Sequence, residues 1–401
     1  MAQQKKKEIS WVPREHAIIF ADEDVDGLMS GVIVAKQYPD SYQLKFVTAR
    51  SLTDAMRRFL HKVESSSYEV DLNDLDVYIV DVGINRGSIH EFAEIARRMK
   101  SLGMRLLYFD SHSNKFNGQT LVPILEEAGV LVHLGEIGTA AASIIQEYLG
   151  TPDTERFRKL GALSDREISF NEARDMLHEK EGLRMLQAAV AWGAWKRRSF
   201  LHRISRELIA NPNLKFTTHK EVIELSRKAN KHRDRLYRYV VKHADVLEVS
   251  HNPRILAVFC LDRNDFGKAR GTIAGHLAGE WGAVIIFITP DEMPNYYSVS
   301  VRNHYRIKVD LERLGQLAMA ETAGGSKGAY RITIEKDRLM KFLIMVQQWT
   351  YSLRPPWIRR RGKRQKVLKS QESHYTEIPD PTDPNSPISM SENRKRVNQS
   401  T

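Results

Sequence analysis

Three carboxylates alternate in a short acidic segment near the start of the chain, which reads Asp22, Glu23, Asp24, Val25, Asp26 and Gly27. The segment lies between two apolar runs, an arrangement that predicts a buried strand, an acidic turn and a helix. Like charges this close repel each other unless cations lie among them. Carboxylate oxygens are ligands for hard divalent cations, so this segment is a candidate metal site, although a solvated acidic turn gives the same pattern.

Further polar side chains follow later apolar runs. Asp81 and Asp110 each follow a run that predicts a strand, and His112 comes two residues after Asp110. Asp165 follows another short apolar stretch. Each residue alone is explained as a helix cap, a turn or a surface charge. Because the carboxyl ends of parallel strands meet at one edge of a sheet, we expect these side chains to converge with Asp24 and Asp26.

The elements that must position these residues alternate between strand and helix through residue 170. Such alternation predicts an α/β fold with a mostly parallel sheet and helices on both faces. The predicted strands are 17–20, 44–48, 77–80, 106–109 and 131–134, and the predicted helices are 28–36, 52–63, 88–101, 122–127 and 140–149.

Four segments follow from the pattern along the whole chain. The α/β domain spans residues 1–170, and residues 171–245 form a helical connector of long charged helices. Residues 246–352 are a smaller α/β domain whose first predicted strand is 255–261. Residues 353–401 are basic, then rich in Pro, Ser and Asn, and we expect disorder there.

Composition and charge narrow the class of protein. The 401 residues are 42% hydrophobic, no apolar run approaches the roughly 20 residues that span a bilayer, and the first residues lack the apolar stretch of a signal peptide. The single cysteine, Cys260, excludes an intramolecular disulfide framework. We therefore expect a cytoplasmic protein without a membrane partner, with association with the nucleoid left open.

Positive charge is concentrated in two segments of a chain whose net charge is +11. Residues 194–243 hold 14 Lys or Arg against 4 Asp or Glu, and residues 354–370 hold 8 Lys or Arg and no carboxylate. Clustered positive charge favours a polyanionic partner, because each neutralised phosphate releases condensed counterions. A solvated basic helix with a solubilising tail is the alternative.

The order of these acidic motifs resembles the DHH phosphoesterase superfamily. Residues 24–27 are similar to its first motif, Asp81 to its second, residues 110–112 to its third and Asp165 to its fourth. The additional Asp22 is similar to the RecJ and archaeal RecJ-like exonucleases. The resemblance covers roughly residues 15 to 350, and it extends to the DHH-associated C-terminal domain, with an active-site cleft between the two lobes.

This resemblance implies two divalent ions, Mn²⁺ or Mg²⁺, and phosphodiester hydrolysis. Asp24 and Asp81 would hold one ion, Asp26, Asp81 and Asp165 the other, and Asp22 would belong to the same acidic set. His112 would contact the scissile phosphate or complete the coordination, and Asp110 would orient it. In the second lobe, the implied substrate-binding residues are Arg302, Gly324, Gly325, Ser326, Lys327 and Arg331.

Two positions differ from the pattern of the superfamily. Ser111 occupies the middle of the third motif, where the family has a histidine that commonly ligates the second metal, and serine is a poor neutral ligand. The glycine-rich loop, residues 323–329, has Ser326 and Lys327 where a histidine is usual. Lys327 could still supply a cation for a phosphate.

Three functions are compatible with these residues. The first is a metal-dependent exonuclease of the RecJ type on single-stranded DNA or RNA, which the basic connector and tail favour. The second is a phosphodiesterase for oligoribonucleotides or cyclic dinucleotides. The third is a catalytically degenerate scaffold associated with a replicative helicase, which Ser111 keeps open. The sequence leaves two kinds of protein partner open: replication or repair proteins, and a second copy of the chain.

Overall fold

Two β-sheets and the helices between them organise the chain. This computed structural model describes residues 12–65, 70–84, 86–111, 115–116, 119–136, 138–307, 309–319, 322–326 and 328–353. The chain through Thr350 is one compact unit, and Tyr351–Thr401 is a second, of which 351–353 are described. The basic tail predicted for residues 353–401 therefore lies almost wholly outside the described residues.

The first sheet consists of five parallel strands. The apolar runs of these strands are almost continuous because helices cover both faces of the sheet. Between the last two strands of this sheet, the chain forms a short hairpin of two strands with two residues each, β5 (Lys115–Phe116) and β6 (Gln119–Thr120). The five strands are β1 (His16–Asp22), β2 (Tyr42–Val47), β3 (Leu75–Val80), β4 (Arg105–Asp110) and β7 (Val130–Leu134).

Six helices pack on this sheet in two layers. On one face lie α2 (Leu52–Glu64), α3 (Ile89–Ser101) and α4 (Val122–Glu127), whose apolar stripes form one core cluster. On the other face lie α1 (Val25–Ala35), α5 (Ala141–Leu149) and α6 (Glu155–Ser164).

The strand order of this sheet is β2-β1-β3-β4-β7. After β1 the chain adds β2 on one side, and from β3 onwards it builds on the other side. The carboxyl ends of β1 and β3 are therefore a topological switch point, where open α/β sheets bind ligands in the crevice outside the strand ends.

Three long helices connect the two sheets: α7 (Lys180–Lys196), α8 (Ser199–Ala210) and α9 (Lys220–His243). Helix α9 belongs to both halves, because Val222 packs in the first core and Leu236 in the second. The first part of the predicted connector is a 3₁₀ segment, Arg174–Glu179, and its first α-helix begins only at Lys180.

The second sheet is mixed, with the order β12-β13-β11-β10-β9-β8, and its one parallel pair is β9–β10. Helix α10 (Ala269–Trp281) packs on one face, and α11 (Leu311–Leu317) and α12 (Leu339–Ser352) pack on the other. The strands are β8 (Asp245–His251), β9 (Arg254–Phe259), β10 (Val284–Pro290), β11 (Tyr296–Arg302), β12 (Thr322–Ser326) and β13 (Ala329–Glu335).

The predicted fold class, two α/β lobes joined by helices, is confirmed. Two details were wrong. Strand β8 was missed, because it is an edge strand with exposed apolar residues and a bulge between Glu248 and Ser250, so its sequence does not alternate cleanly. The glycine-rich segment expected as a loop is strand β12 through Ser326, since it pairs with β13.

The domain boundaries at residues 170, 245 and 352 stay predictions. The described helices include none that is both long and apolar enough to cross a bilayer.

A buried polar network fixes the edge of the first sheet at which its strands begin. This edge is opposite the one formed by the carboxyl ends of the strands. Asp76 on β3 is fully buried, and its carboxylate accepts hydrogen bonds from Tyr38 Oη at 2.6 Å and from Nε and Nη2 of Arg105 at 2.7 Å each. The backbone N–H of Arg14 donates to the same carboxylate at 3.1 Å. Burial is also the main cause that raises the pKa of Tyr38 and of Tyr78, whose hydroxyls lie 2.8 Å apart.

Replacing Asp76 by alanine should lower the free energy of unfolding by about 3 kcal/mol, because the substitution leaves a guanidinium and a phenol without their buried partner. Urea unfolding followed by circular dichroism measures the change. The matched control is Asp40→Ala, at an exposed position, for which we expect a change within about 0.5 kcal/mol. Equal unfolding midpoints for the two variants would contradict this account of the network.

Candidate metal centre

The two acidic segments meet at the switch point of the first sheet. Strands β1 and β3 pair in parallel, with Ala21 opposite Val80, so Asp22 and Asp81 follow at neighbouring strand ends. Asp81 is buried, and burial followed by the charges of four other carboxylates raises its pKa well above the ordinary value. In order of effect these are Asp26, Asp24, Asp165 and Asp22.

The backbone of Asp81 is held in the left-handed region, with φ at 60°. Its N–H donates a hydrogen bond of 2.9 Å to the carbonyl of Phe109 on the neighbouring strand. Aspartate tolerates this conformation better than most residues, but it remains uncommon outside glycine and tends to occur at functional sites.

Asp26 is fully buried and caps a helix from another part of the chain. Its Oδ2 accepts a hydrogen bond of 2.6 Å from the N–H of Ala141, and its Oδ1 accepts one of 3.1 Å from Ala142. These N–H groups begin α5, whose own N-cap residue, Ala140, has no side chain that could accept them. Burial, then Asp165 and Asp24, raise the pKa of Asp26, while the two N–H groups lower it.

Asp165 lies near the same site but not at a strand end, so that prediction was wrong. The apolar stretch before it is helix α6, and Asp165 is the C-cap residue. Helix α6 comes close because of Gly161, where a Cβ would lie 2.5 Å from Oδ1 of Asp26 and 2.6 Å from Cβ of Ala142. Asp165 is exposed, and its charge raises the pKa of both buried aspartates.

The acidic turn itself is held by backbone contacts. Asp24 is the N-cap of α1, and its Oδ1 accepts the N–H of Gly27 at 2.9 Å. A Cβ at Gly27 would lie 2.5 Å from the carbonyl oxygen and 2.7 Å from the nitrogen of Asp22. Only glycine therefore lets the first turn of α1 approach the end of β1 this closely.

The third motif is described through Ser111. Asp110 is fully buried, and its carboxylate accepts hydrogen bonds from Tyr108 Oη at 2.6 Å and from the N–H of Ser111 at 2.9 Å. These bonds fix the end of β4 beside Asp81. His112 and Lys327, both predicted site residues, lie outside the described residues.

Arginines of the second lobe face the acidic edge. Arg331 on β13 is exposed, yet the protein around it lowers its pKa through desolvation first and then through Arg50, while Asp291, Glu292 and Asp22 oppose the shift. Such a combination of exposure and desolvation is typical of a side chain that lines a concave surface. Desolvation followed by Arg331 lowers the pKa of Arg270 to about 10.

Two contacts join the lobes around these arginines. Arg50 of the first lobe donates to both carboxylate oxygens of Asp291 at 2.9 and 3.1 Å, and to Thr333 Oγ1 at 3.1 Å. Lys268, which precedes α10, donates to the carbonyl oxygen of Glu23 at 3.0 Å. Sequence reasoning missed Arg50, Arg270 and Lys268, because their relation to the site exists only once the lobes pack.

The remaining predicted substrate residues lie in the same lobe. Arg302 Nε donates to the carbonyl of Gly271 at 2.9 Å, and desolvation followed by Arg166 lowers its pKa to about 10. Gly324, Gly325 and Ser326 belong to β12, where Gly324 pairs with Arg331 of β13.

The chemistry of this donor set fits hard divalent cations, since its groups are carboxylates that repel each other in a buried place. Within the described residues, however, no three His, Cys, Asp or Glu side chains stand in a ready-made ligand group. Burial and the neighbouring carboxylates nevertheless raise the pKa of Asp26 and of Asp81, which indicates that these charges lie close enough to repel each other.

Comparison with known proteins gives a likeness in fold. No family model and no curated protein matches the sequence. Among solved structures, the chain is similar to a DHH domain described as a member of the s1p family of ribosomal proteins, with a TM-score of 0.56 and 15% identity over 83% of this chain and 87% of that one. The chain has the DHH fold.

A second DHH-fold structure is RecJ from Thermus thermophilus, solved in complex with Mn²⁺. The TM-score is 0.53 at 15% identity, over 85% of this chain and 53% of that one. The chain thus spans about half the length of that RecJ. At this identity the likeness concerns the arrangement of the two lobes and not the reaction.

Gly27→Ala should displace α1 from the end of β1, because the new Cβ would meet backbone atoms that cannot rotate away. We expect a loss of about 1–3 kcal/mol in the free energy of unfolding, as in other overpacked sites. Gly83→Ala is the control, since a Cβ there meets no atom within 4 Å. Equal stability of the two variants, measured by urea unfolding, would contradict the close approach.

Asp81→Asn should stabilise the protein in metal-free buffer at neutral pH. The raised pKa of Asp81 means that ionised Asp81 costs free energy in the folded state, whereas asparagine carries no charge and tolerates the left-handed backbone. Below about pH 4, the usual range of an unfolded aspartate, both the folded and the unfolded wild type are protonated at this residue and the difference should vanish. It should grow as the pH rises towards the raised pKa.

Thermal unfolding from about pH 4 to pH 8 in the presence of a chelator measures this difference. Asp40→Asn, at an exposed position, is the control and should show no such trend. A gain for Asp81→Asn that is independent of pH would show that the ionisation of buried Asp81 is not its cause.

Proposed function

We propose that this protein is a divalent-metal-dependent phosphodiester hydrolase, acting as a RecJ-like exonuclease on single-stranded DNA or RNA. The observation that carries the proposal is the gathering of carboxylates from β1, α1, α6 and the end of β3 around one buried residue, Asp81. Arginines of the second lobe face them and suit a phosphate-containing substrate.

Asp22, Asp24, Asp26, Asp81 and Asp165 would hold the ions, which we take to be two Mn²⁺ or Mg²⁺. Divalent ions at such a site supply charge stabilisation for the phosphoryl oxygens and help to position the attacking water. Asp26 has both oxygens in hydrogen bonds to α5, but each carboxylate oxygen has a second lone pair, so a ligand role stays compatible with capping.

The residues of the chain itself would bind and orient the substrate. Desolvation and nearby cations lower the pKa of Arg331 and of Arg270 more than Asp291 and Glu292 raise it, so a phosphate between the two arginines would relieve the remaining repulsion. Asp110, fixed by Tyr108, would position the third motif, and His112 would contact the scissile phosphate. Ions and arginines together would neutralise the charge that develops on the phosphate.

A catalytically degenerate scaffold is the second candidate. Two observations favour it: Ser111 replaces a family metal ligand, and the capping of α5 gives Asp26 a structural purpose that does not require a metal. One observation counts against the scaffold. Buried carboxylates that raise one another's pKa destabilise the fold, and a scaffold gains nothing from keeping them.

Hydrolysis of a labelled single-stranded 20-mer tests the two candidates. With Mn²⁺ we expect stepwise shortening from one end, which a chelator abolishes. Asp81→Asn should lower the rate by at least about 100-fold, since even residues that only support metal ligands cost 10–100-fold when they are changed. Asp40→Asn should match the wild type. Equal residual rates for wild type and Asp81→Asn would reject the hydrolase and leave the scaffold.

A further inference from the structure

The exposed face of α9 is strongly basic. Seven Lys or Arg residues lie along it, and at 3.6 residues per turn they fall within an arc of about 100° of the helix surface. The helix rises about 1.5 Å per residue, so this set extends over about 33 Å. We call it the α9 stripe; its residues are Lys220, Arg227, Lys228, Lys231, Arg235, Arg238 and Lys242, all of them exposed.

The opposite face of α9 is apolar and fully used by the fold. Val222 and Leu225 pack in the core of the first lobe, and Leu236 and Val240 pack in the core of the second. The helix is therefore anchored near both ends, and the α9 stripe is a rigid surface. No apolar face is left to insert into a lipid bilayer, as an interfacial helix would require.

Three of these seven charges have no carboxylate beside them among the residues that the structure describes. Lys228 pairs with Glu224 one turn away, and Arg235 lies 3.5 Å from Asp265. For Arg227, Lys231 and Arg238, the described part of the chain places no carboxylate within ion-pair distance. A row of cations with too few counter-charges is costly to hold together, and a polyanion laid along it would release condensed counterions.

Contacts lead from Arg235 of the α9 stripe towards the proposed metal centre. Arg235 contacts Asp265, and Lys268, three residues further along the same loop, donates to the carbonyl of Glu23 in the acidic turn. Arg198, at the junction of α7 and α8, lies 3.0 Å from the Glu23 carboxylate, an ion pair without hydrogen-bond geometry. Cations thus continue from the helix to the edge of the carboxylate site.

We propose that the α9 stripe binds the sugar–phosphate backbone of a single-stranded nucleic acid and holds the polymer beside the metal centre. This inference deepens the proposed function and rests on it, because it names the part of the protein that distinguishes a polymer from a dinucleotide. A dinucleotide reaches only the carboxylates and the arginines of the second lobe. A long strand additionally contacts the helix, and its affinity depends on salt.

Fluorescence anisotropy with the full chain tests the proposal in a chelating buffer, where hydrolysis cannot interfere. The probes are a labelled oligothymidylate 20-mer and a labelled dinucleotide, at several salt concentrations. The test variant is the triple substitution Arg227→Gln, Lys231→Gln and Arg238→Gln. We expect its affinity for the 20-mer to fall about tenfold or more. Binding by the variant should also release about two fewer counterions, so its affinity should depend less steeply on salt concentration. Its affinity for the dinucleotide should not change.

The control variant makes the same change in charge elsewhere on the surface, at Arg58, Arg97 and Lys100, each substituted by Gln and each exposed. It should bind the 20-mer as the wild type does. Equal losses in the two triple variants, or no loss in either, would overturn the proposal. So would loss of binding to phosphatidylserine vesicles by the α9 variant with its binding to the 20-mer unchanged.

Hydrolysis of the dinucleotide with Mn²⁺ separates this inference from the proposed function. The α9 variant should hydrolyse the dinucleotide at the wild-type rate and the 20-mer more slowly at low substrate concentration. A wild type that binds the 20-mer through the α9 stripe but hydrolyses neither substrate would reject the hydrolase and still support the nucleic-acid surface.

Discussion

Repulsion among buried carboxylates is the constraint around which the first lobe is built. Asp26 and Asp81 are almost completely removed from water, and each lies close enough to other aspartates for their charges to raise its pKa. A fold keeps such groups only where other contacts offset the cost. The backbone N–H groups at the start of α5 offset part of the cost of burying Asp26, and the cations of the second lobe offset part of the charge of Asp22. Bound divalent ions would offset more of this repulsion.

Structural and functional roles are combined in the same side chains. Asp26 caps α5, Asp24 caps α1 and Asp110 is tied to Tyr108, so the carboxylates that are candidates for chemistry also hold the elements that carry them. Close packing depends on two glycines: Gly27 lets α1 approach β1, and Gly161 lets α6 approach Asp26. A substitution at this edge therefore affects position and charge at once, which is why matched controls are needed.

The second lobe completes the electrostatic arrangement. Ion pairs and hydrogen bonds across the lobes, from Arg50 to Asp291 and from Lys268 to Glu23, hold positive charge next to the acidic edge. Helix α9 packs in the cores of both lobes, so the connector is part of each. Its free face has the same sign of charge as the arginines of the second lobe. One polyanion could thus contact both surfaces.

Sequence alone determined the alternation of strands and helices, the two lobes, and Asp22, Asp81 and Asp110 at strand ends, because periodicity and the position after a strand are local properties. Packing decided the rest. Asp165 reaches the site from a helix, Asp26 serves α5, and Arg50 and Arg270 approach only when the lobes meet. Contacts between residues a hundred or more positions apart depend on how faces pack, and apolar periodicity does not encode which distant polar group lies opposite.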